Sequence, residues 1–155
     1  MIPAKIEFLQ NRLVKTFSGI PSGQPPLWGK MSLQQMIEHF SESVKIASGR
    51  FYFSEVITPE AHLVPMRKFL EGDKPFRENT VNPLMPVVPA PVKNLSVEKA
   101  LDELRSEIDY FFEYFDAHPV KTTRNPIFGD LNFEQNVHLL YKHALHHLRQ
   151  FGVEA

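Results

Sequence analysis

The chain contains no cysteine. That absence removes disulfides, thiolate nucleophiles and sulfur ligands together, and leaves His, Asp and Glu as the side chains able to hold a metal. Nor is there an excess of either charge: 17 Lys and Arg stand against 18 Asp and Glu, a formal net charge of −1. With no long basic tract, neither nucleic acid nor an anionic membrane is an expected partner. Also missing is any apolar run near the ~20 residues that span a bilayer. The N-terminal Met1-Ile2-Pro3-Ala4-Lys5-Ile6-Glu7 carries charges where a signal peptide needs an apolar core. A cytoplasmic location is the expectation. The 155 residues suit one domain over residues 1–155, long enough to bury roughly 70% of the surface its unfolded chain exposes.

What is present is helical periodicity, interrupted once. Ile2, Ile6, Leu9, Leu13 and Phe17 recur at helix spacing, and Gly19 and Pro21 stop that pattern. Ser32-Leu33-Gln34-Gln35 has the capping-box form that opens a second helix, running to about Gly49 with Leu33, Ile37, Phe40, Val44 and Ala47 as its stripe. From Tyr52 to Asn94 the prolines at 59, 65, 75, 83, 86, 89 and 91 exclude long helices, although Glu60 to Glu71 suits a short one. This stretch reads as a long crossover, either a cover for a site between helices or plain packing. Ser96 caps a third helix with the stripe Val97, Leu101, Leu104, Ile108, Phe111, Phe112 and Phe115, closed by His118-Pro119. After a turn over Asn125–Asp130, Asn132-Phe133-Glu134-Gln135 repeats the capping-box form and begins a fourth helix reaching about Phe151. The expected class is therefore all-α, a four-helix bundle with a long Pro-rich crossover between helices two and three.

Seven histidines are unevenly placed. His143 and His147 are four residues apart, the spacing that sends two imidazoles off one face of a helix. On the helix-four wheel His147 sits at the edge of the stripe made by Phe133, Val137, Leu140, Ala144, Leu148 and Phe151, and His143 slightly further round. His146 turns toward solvent on the same wheel, and His138 and His62 lack the geometry to join the pair. A third ligand is available in His39, on a flank of helix two with Met36, Ser43 and Ile46; a half-buried surface His is equally consistent with that position. Three imidazoles without a carboxylate suit Zn, Ni or Fe in the divalent state and leave an open coordination position. Glu38 and Glu134 are the candidate acid–base carboxylates, although a mid-helix Glu is ordinarily solvated and one in a first turn ordinarily serves the helix dipole. Lys142 and Arg149 flank the pair and turn to solvent on the wheel.

Pro26-Leu27-Trp28-Gly29-Lys30-Met31-Ser32-Leu33-Gln34-Gln35-Met36-Ile37-Glu38-His39, Asn125-Pro126-Ile127-Phe128-Gly129 and Tyr141-Lys142-His143-Ala144-Leu145-His146-His147-Leu148-Arg149-Gln150-Phe151-Gly152 together resemble the DinB/YfiT-like superfamily of metalloenzymes, and within it a bacterial subfamily without an assigned function. The resemblance covers both halves of the chain and leaves the middle loop unmatched. It implies an up-down-down-up order of helices and a metal held by one His from helix two and a His-x-x-x-His pair from helix four, which here are His39, His143 and His147. Relatives with known activities depend on thiols, which implies a small-molecule substrate, a low-molecular-weight thiol as cofactor and S-transfer or a related hydrolysis. The alternative is a non-catalytic bundle that binds a small ligand or a protein, with a structural metal or none. A homodimer is expected through apolar helix faces, for which the 13 Phe supply material.

Overall fold

The computed structural model describes residues 2–78 and 88–154. Pro83 and Pro86 of the expected crossover lie outside them. The chain opens with α1 (Ile2–Glu7), a π-helical segment (Phe8–Arg12) and α2 (Leu13–Ser18), which follow one another without a break up to Gly19. Phe8 and Leu9, neighbours in sequence, are both buried there, with Leu13 and Phe17 beyond them.

The predicted caps form. Ser32 Oγ accepts from the Gln35 amide while Gln35 Oε1 accepts from the Ser32 amide, and α3 (Leu33–Ala47) begins at that box. The crossover holds one helix, α4 (Glu60–Glu71), with Pro65 inside it. Ser96 caps α5 (Val97–Ala117), and a second capping box at Asn132 and Gln135 opens α6 (Phe133–Gln150). At the far end of α6 the Gly152 amide donates to the Arg149 carbonyl and the Val153 amide to the Leu148 carbonyl, with Gly152 at φ 75°. This paired turn needs a residue free to adopt a left-handed backbone, which glycine supplies.

One element departs from the all-α expectation. Thr123–Asn125 and Gly129–Leu131 pair as antiparallel strands β1 and β2, with Thr123 opposite Leu131. Asn125 Oδ1 accepts from the amides of Ile127 and Phe128 and folds the turn. Three-residue strands of Thr-Arg-Asn and Gly-Asp-Leu carry no alternation long enough to register as strands in the sequence.

Side-chain pairings fix the helix directions. Lys45 meets Glu103 at 3.0 Å and Arg50 meets Glu107 at 3.5 Å, so α3 and α5 run the same way. Two consecutive long helices that are parallel neighbours need a connection that travels back along their length, and the crossover is that connection. The α6 helix opposes α3: the residues before α3 bond to Gln150 at the end of α6, through Leu27 N to Gln150 O at 2.7 Å. At the other end, Thr123 Oγ1 donates to the Ala47 carbonyl and receives from Asn136. Lys5 to His138 and Phe8 to Tyr141 set α1 parallel to α6. Phe17, Phe40, Phe111 and Phe151 are fully buried in the shared core. A smaller apolar cluster of Leu70, Phe128 and Leu131, with Phe69 and Phe76 against it, seats α4 on the hairpin. Among the described residues no helix is long and apolar enough to cross a membrane.

Two buried charges hold the crossover, and both correct the sequence expectation. Glu38 is 5% exposed rather than solvated. Its carboxylate accepts from the amides of Lys93 and Asn94 and from the side chains of Asn94 and Gln34. Burial alone would raise its pKa, and the hydrogen bonds from the Asn94 and Lys93 amides and from the Gln34 and Asn94 side chains together more than reverse that, holding the carboxyl below its ordinary value. Lys142 is 6% exposed rather than turned to solvent. Its ammonium donates to the carbonyls of Gly72 and Lys74 just past α4 and lies 4.4 Å from the centre of the Phe69 ring. Replacing Glu38 with Ala leaves buried donors without an acceptor and is expected to cost about 1–3 kcal/mol. Hydrogen exchange at Lys93 and Asn94 should accelerate in the same variant; unchanged protection there would show that the carboxylate is not the anchor.

Candidate metal centre

The antiparallel contact of α3 and α6 brings His39 against His143 and His147. Their Nε2 atoms face one another, His39 to His143 at 3.2 Å and His143 to His147 at 2.7 Å. One nitrogen from each of the three lies within 4.8 Å of the others, and among the described residues no carboxylate joins the group. His147 is 3% exposed; His39 and His143 keep part of their surface accessible. Phe40 packs beside the His143 ring at 5.1 Å, and Phe76 approaches the same ring edge-on at 6.5 Å.

Burial, and after it the neighbouring imidazoles, hold His143 and His147 well below the ordinary histidine pKa. Burial, with a smaller contribution from His146, holds His39 down to about 4. All three rings are therefore neutral near pH 7, the state a metal requires of them. The tautomer of His147 is set as well. Gln150 Nε2 donates to the Trp28 carbonyl at 3.1 Å, which leaves Gln150 Oε1 to accept from His147 Nδ1 at 2.7 Å. The proton of His147 sits on Nδ1, and its Nε2 lone pair points at the other two rings.

Three converging nitrogens cannot all be paired by a proton, because one proton bridges only two of them. A cation accepts all three. Nitrogens each about 2.1 Å from a tetrahedral ion stand roughly 3.4 Å apart, so the 3.2 Å pair is already close to that spacing and the 2.7 Å pair needs only to open slightly. The three imidazoles can hold one metal ion.

Glu38 does not serve this centre, since both its oxygens are engaged by the crossover. Glu134 is exposed in the opening turn of α6. His138 accepts from Lys5 Nζ at 2.9 Å, and neither it nor His62 joins the three. His146 departs from its expected outward position: it is partly buried, with the Trp28 ring at 5.6 Å and the Phe76 ring at 6.1 Å. Three residues of this centre carried little signal in the sequence. Gln150 follows His147 by three residues and so shares its helix face, which could have been read. Gly29, at φ 78°, lets the loop pass where an added Cβ would stand 2.9 Å from Gln150 Nε2. Phe76 arrives from a segment with no periodic pattern. Comparison with family models, with curated proteins and with solved structures finds no match to the chain.

Two measurements bear on this arrangement. His39 binds its proton less well when folded than when unfolded, so its contribution to stability is complete above about pH 6.5 and is lost as the pH falls from there through about 4. Metal-free protein should lose about 3 kcal/mol through His39 alone across that window, read by denaturant unfolding at stepped pH. A flat profile would contradict the burial of a neutral ring. Replacing Gln150 with Leu frees the His147 tautomer and is expected to weaken zinc affinity about 10–100-fold, measured by competition with a chromogenic chelator.

Proposed function

We propose that the chain is a four-helix bundle of up-down-down-up topology that holds one divalent metal ion on His39, His143 and His147 and uses it to act on a small molecule. The topology is supported by α1 and α6 running one way and α3 and α5 the other. The metal-dependent activity rests on one observation, the convergence of three neutral imidazole nitrogens with the His147 tautomer fixed by Gln150. A bundle interior is where facing helices pool such ligands. A divalent Zn, Ni or Fe ion held there supplies Lewis acidity, lowering the pKa of a water or thiol that it binds.

The residues of the chain do the rest. Gln150 and the Trp28 carbonyl keep a proton on His147 Nδ1 and off Nε2. Phe40 and Phe76 keep apolar surface against His143, which limits water around the nitrogens. Metal-assisted hydrolysis calls for a general base within reach, and among the described residues no Asp or Glu stands in the cluster. Activation of a thiol needs no such base once the thiol has lost its proton. The DinB/YfiT-like resemblance favours that same chemistry, with a low-molecular-weight thiol transferred to an electrophile. A homodimer belongs to the same proposal.

Mass spectrometry of the purified, tag-free protein after growth with Zn, Ni and Fe should find about one metal ion per chain. The ion should be lost in His39→Ala, His143→Ala and His147→Ala and kept in His146→Ala. Protein free of metal under every supply would overturn the proposal.

A further inference from the structure

A cavity of about 590 Å³ opens where the start of α6 meets α1 and the end of α5, a size within the range of small-molecule sites. Phe133, on its wall, precedes His143 by about 15 Å of helix, so the cavity is separate from the three-His centre. Its floor is apolar: Ile6 from α1, Phe112 and Phe115 from α5, and Phe133. The Phe133 ring packs 5.6 Å from that of Phe115 and 6.0 Å from that of Phe112, which fixes the floor in place. Phe115 is buried, whereas Ile6, Phe112 and Phe133 keep part of their apolar surface accessible. Gln10 enters the wall from the π-helical segment, and such wide turns within a helix are frequent at functional sites.

The charges on the rim run against the helix that carries them. Glu113 and Asp116 both line the cavity and both are exposed. Three residues apart, they are neighbours on α5 and repel one another. They also stand near its C-terminal end, where the macrodipole is negative and a cation would be stabilising; the last turn of α5 holds no basic residue. Arg105, earlier on the same helix, donates to the Gln10 carbonyl and meets Asp109 instead. Among the described residues neither Glu113 nor Asp116 enters an ion pair. Their negative potential, added to that of the helix end, therefore faces the cavity without compensation from the chain.

We infer that this cavity binds a small organic cation, an ammonium or guanidinium group carried on an apolar body. The body covers the accessible surface of Ile6, Phe112 and Phe133, and the cationic group lies between Glu113 and Asp116. An anion is opposed by both carboxylates and by the helix end, and a neutral molecule of the same shape gains only the floor. This site goes beyond the metal-dependent reading and does not rest on it.

Phenethylamine, with phenethyl alcohol as its neutral counterpart and phenylpropionate as its anionic one, is titrated into the full chain and followed by amide NMR shifts. The expected result is saturable shifts at residues 112–116 and at Phe133 with phenethylamine, at about tenfold lower concentration than with the alcohol. The preference should shrink as salt is added, and the shifts should be the same with zinc supplied and after chelation. The isosteric double variant Glu113→Gln with Asp116→Asn should lose the preference for the amine while melting no lower than the wild type, since the repulsion at the helix end is relieved. A preference that survives in that variant overturns the site. So does phenylpropionate binding as tightly as the amine, or a wild-type chain with no saturable response. Shifts centred on His143 and His147 would place the amine at the metal centre and overturn it too. If the same amides move on raising protein concentration alone, a second copy of the chain fills the cavity, and the cation site is likewise overturned.

Discussion

The same-direction packing of α3 and α5 is the constraint on which the rest of this structure depends. Consecutive helices that run parallel cannot be joined by a tight turn, so about the length of a helix must be retraced outside the core. The returning chain needs fastening, because a Pro-rich segment makes few backbone hydrogen bonds of its own. Glu38 receives it on α3 and Lys142 receives it on α6. Each is a buried charge, which is costly without good partners, and each meets backbone groups that water no longer serves. Through Phe76, whose ring stands 6.5 Å from that of His143, the described part of the crossover also meets the seam between α3 and α6, where the histidines are.

That seam brings three imidazoles into one volume, and burial decides their protonation. Rings pressed to 2.7 and 3.2 Å cannot each carry a proton on the facing nitrogen. Neutrality follows from crowding and desolvation together. The hydrogen bond from His147 to Gln150 then chooses between two tautomers that would otherwise be close in energy. A backbone carbonyl at Trp28 is thus two hydrogen bonds away from the electronic state of a candidate ligand.

Features encoded within one element could be read from the sequence. Both capping boxes, the stop at Gly19, the short helix at residues 60–71 and the stripe of α5 depend on residues within a few positions of each other. The same holds for His143 and His147, whose spacing is a property of one helix. The misreadings arose where the deciding partner is distant. A helical wheel places Lys142 on a solvent face because the wheel contains only α6, and the carbonyls that bury it come from residues 72 and 74. Glu38 is buried for the same reason by residues 93 and 94. His146 is covered by Trp28 and Phe76, from two different connections. The hairpin escaped detection because its strands are too short to show a period of two.

Glu38 immediately precedes His39, and Lys142 immediately precedes His143. The anchors of the crossover and two of the converging rings therefore share peptide units on two different helices. Glu38 fastens the end of the crossover and Lys142 its middle, each from the position next to a ring. Fastening the crossover and placing the rings thus fall to adjacent residues on the same two helices, and neither task can be redesigned without regard to the other.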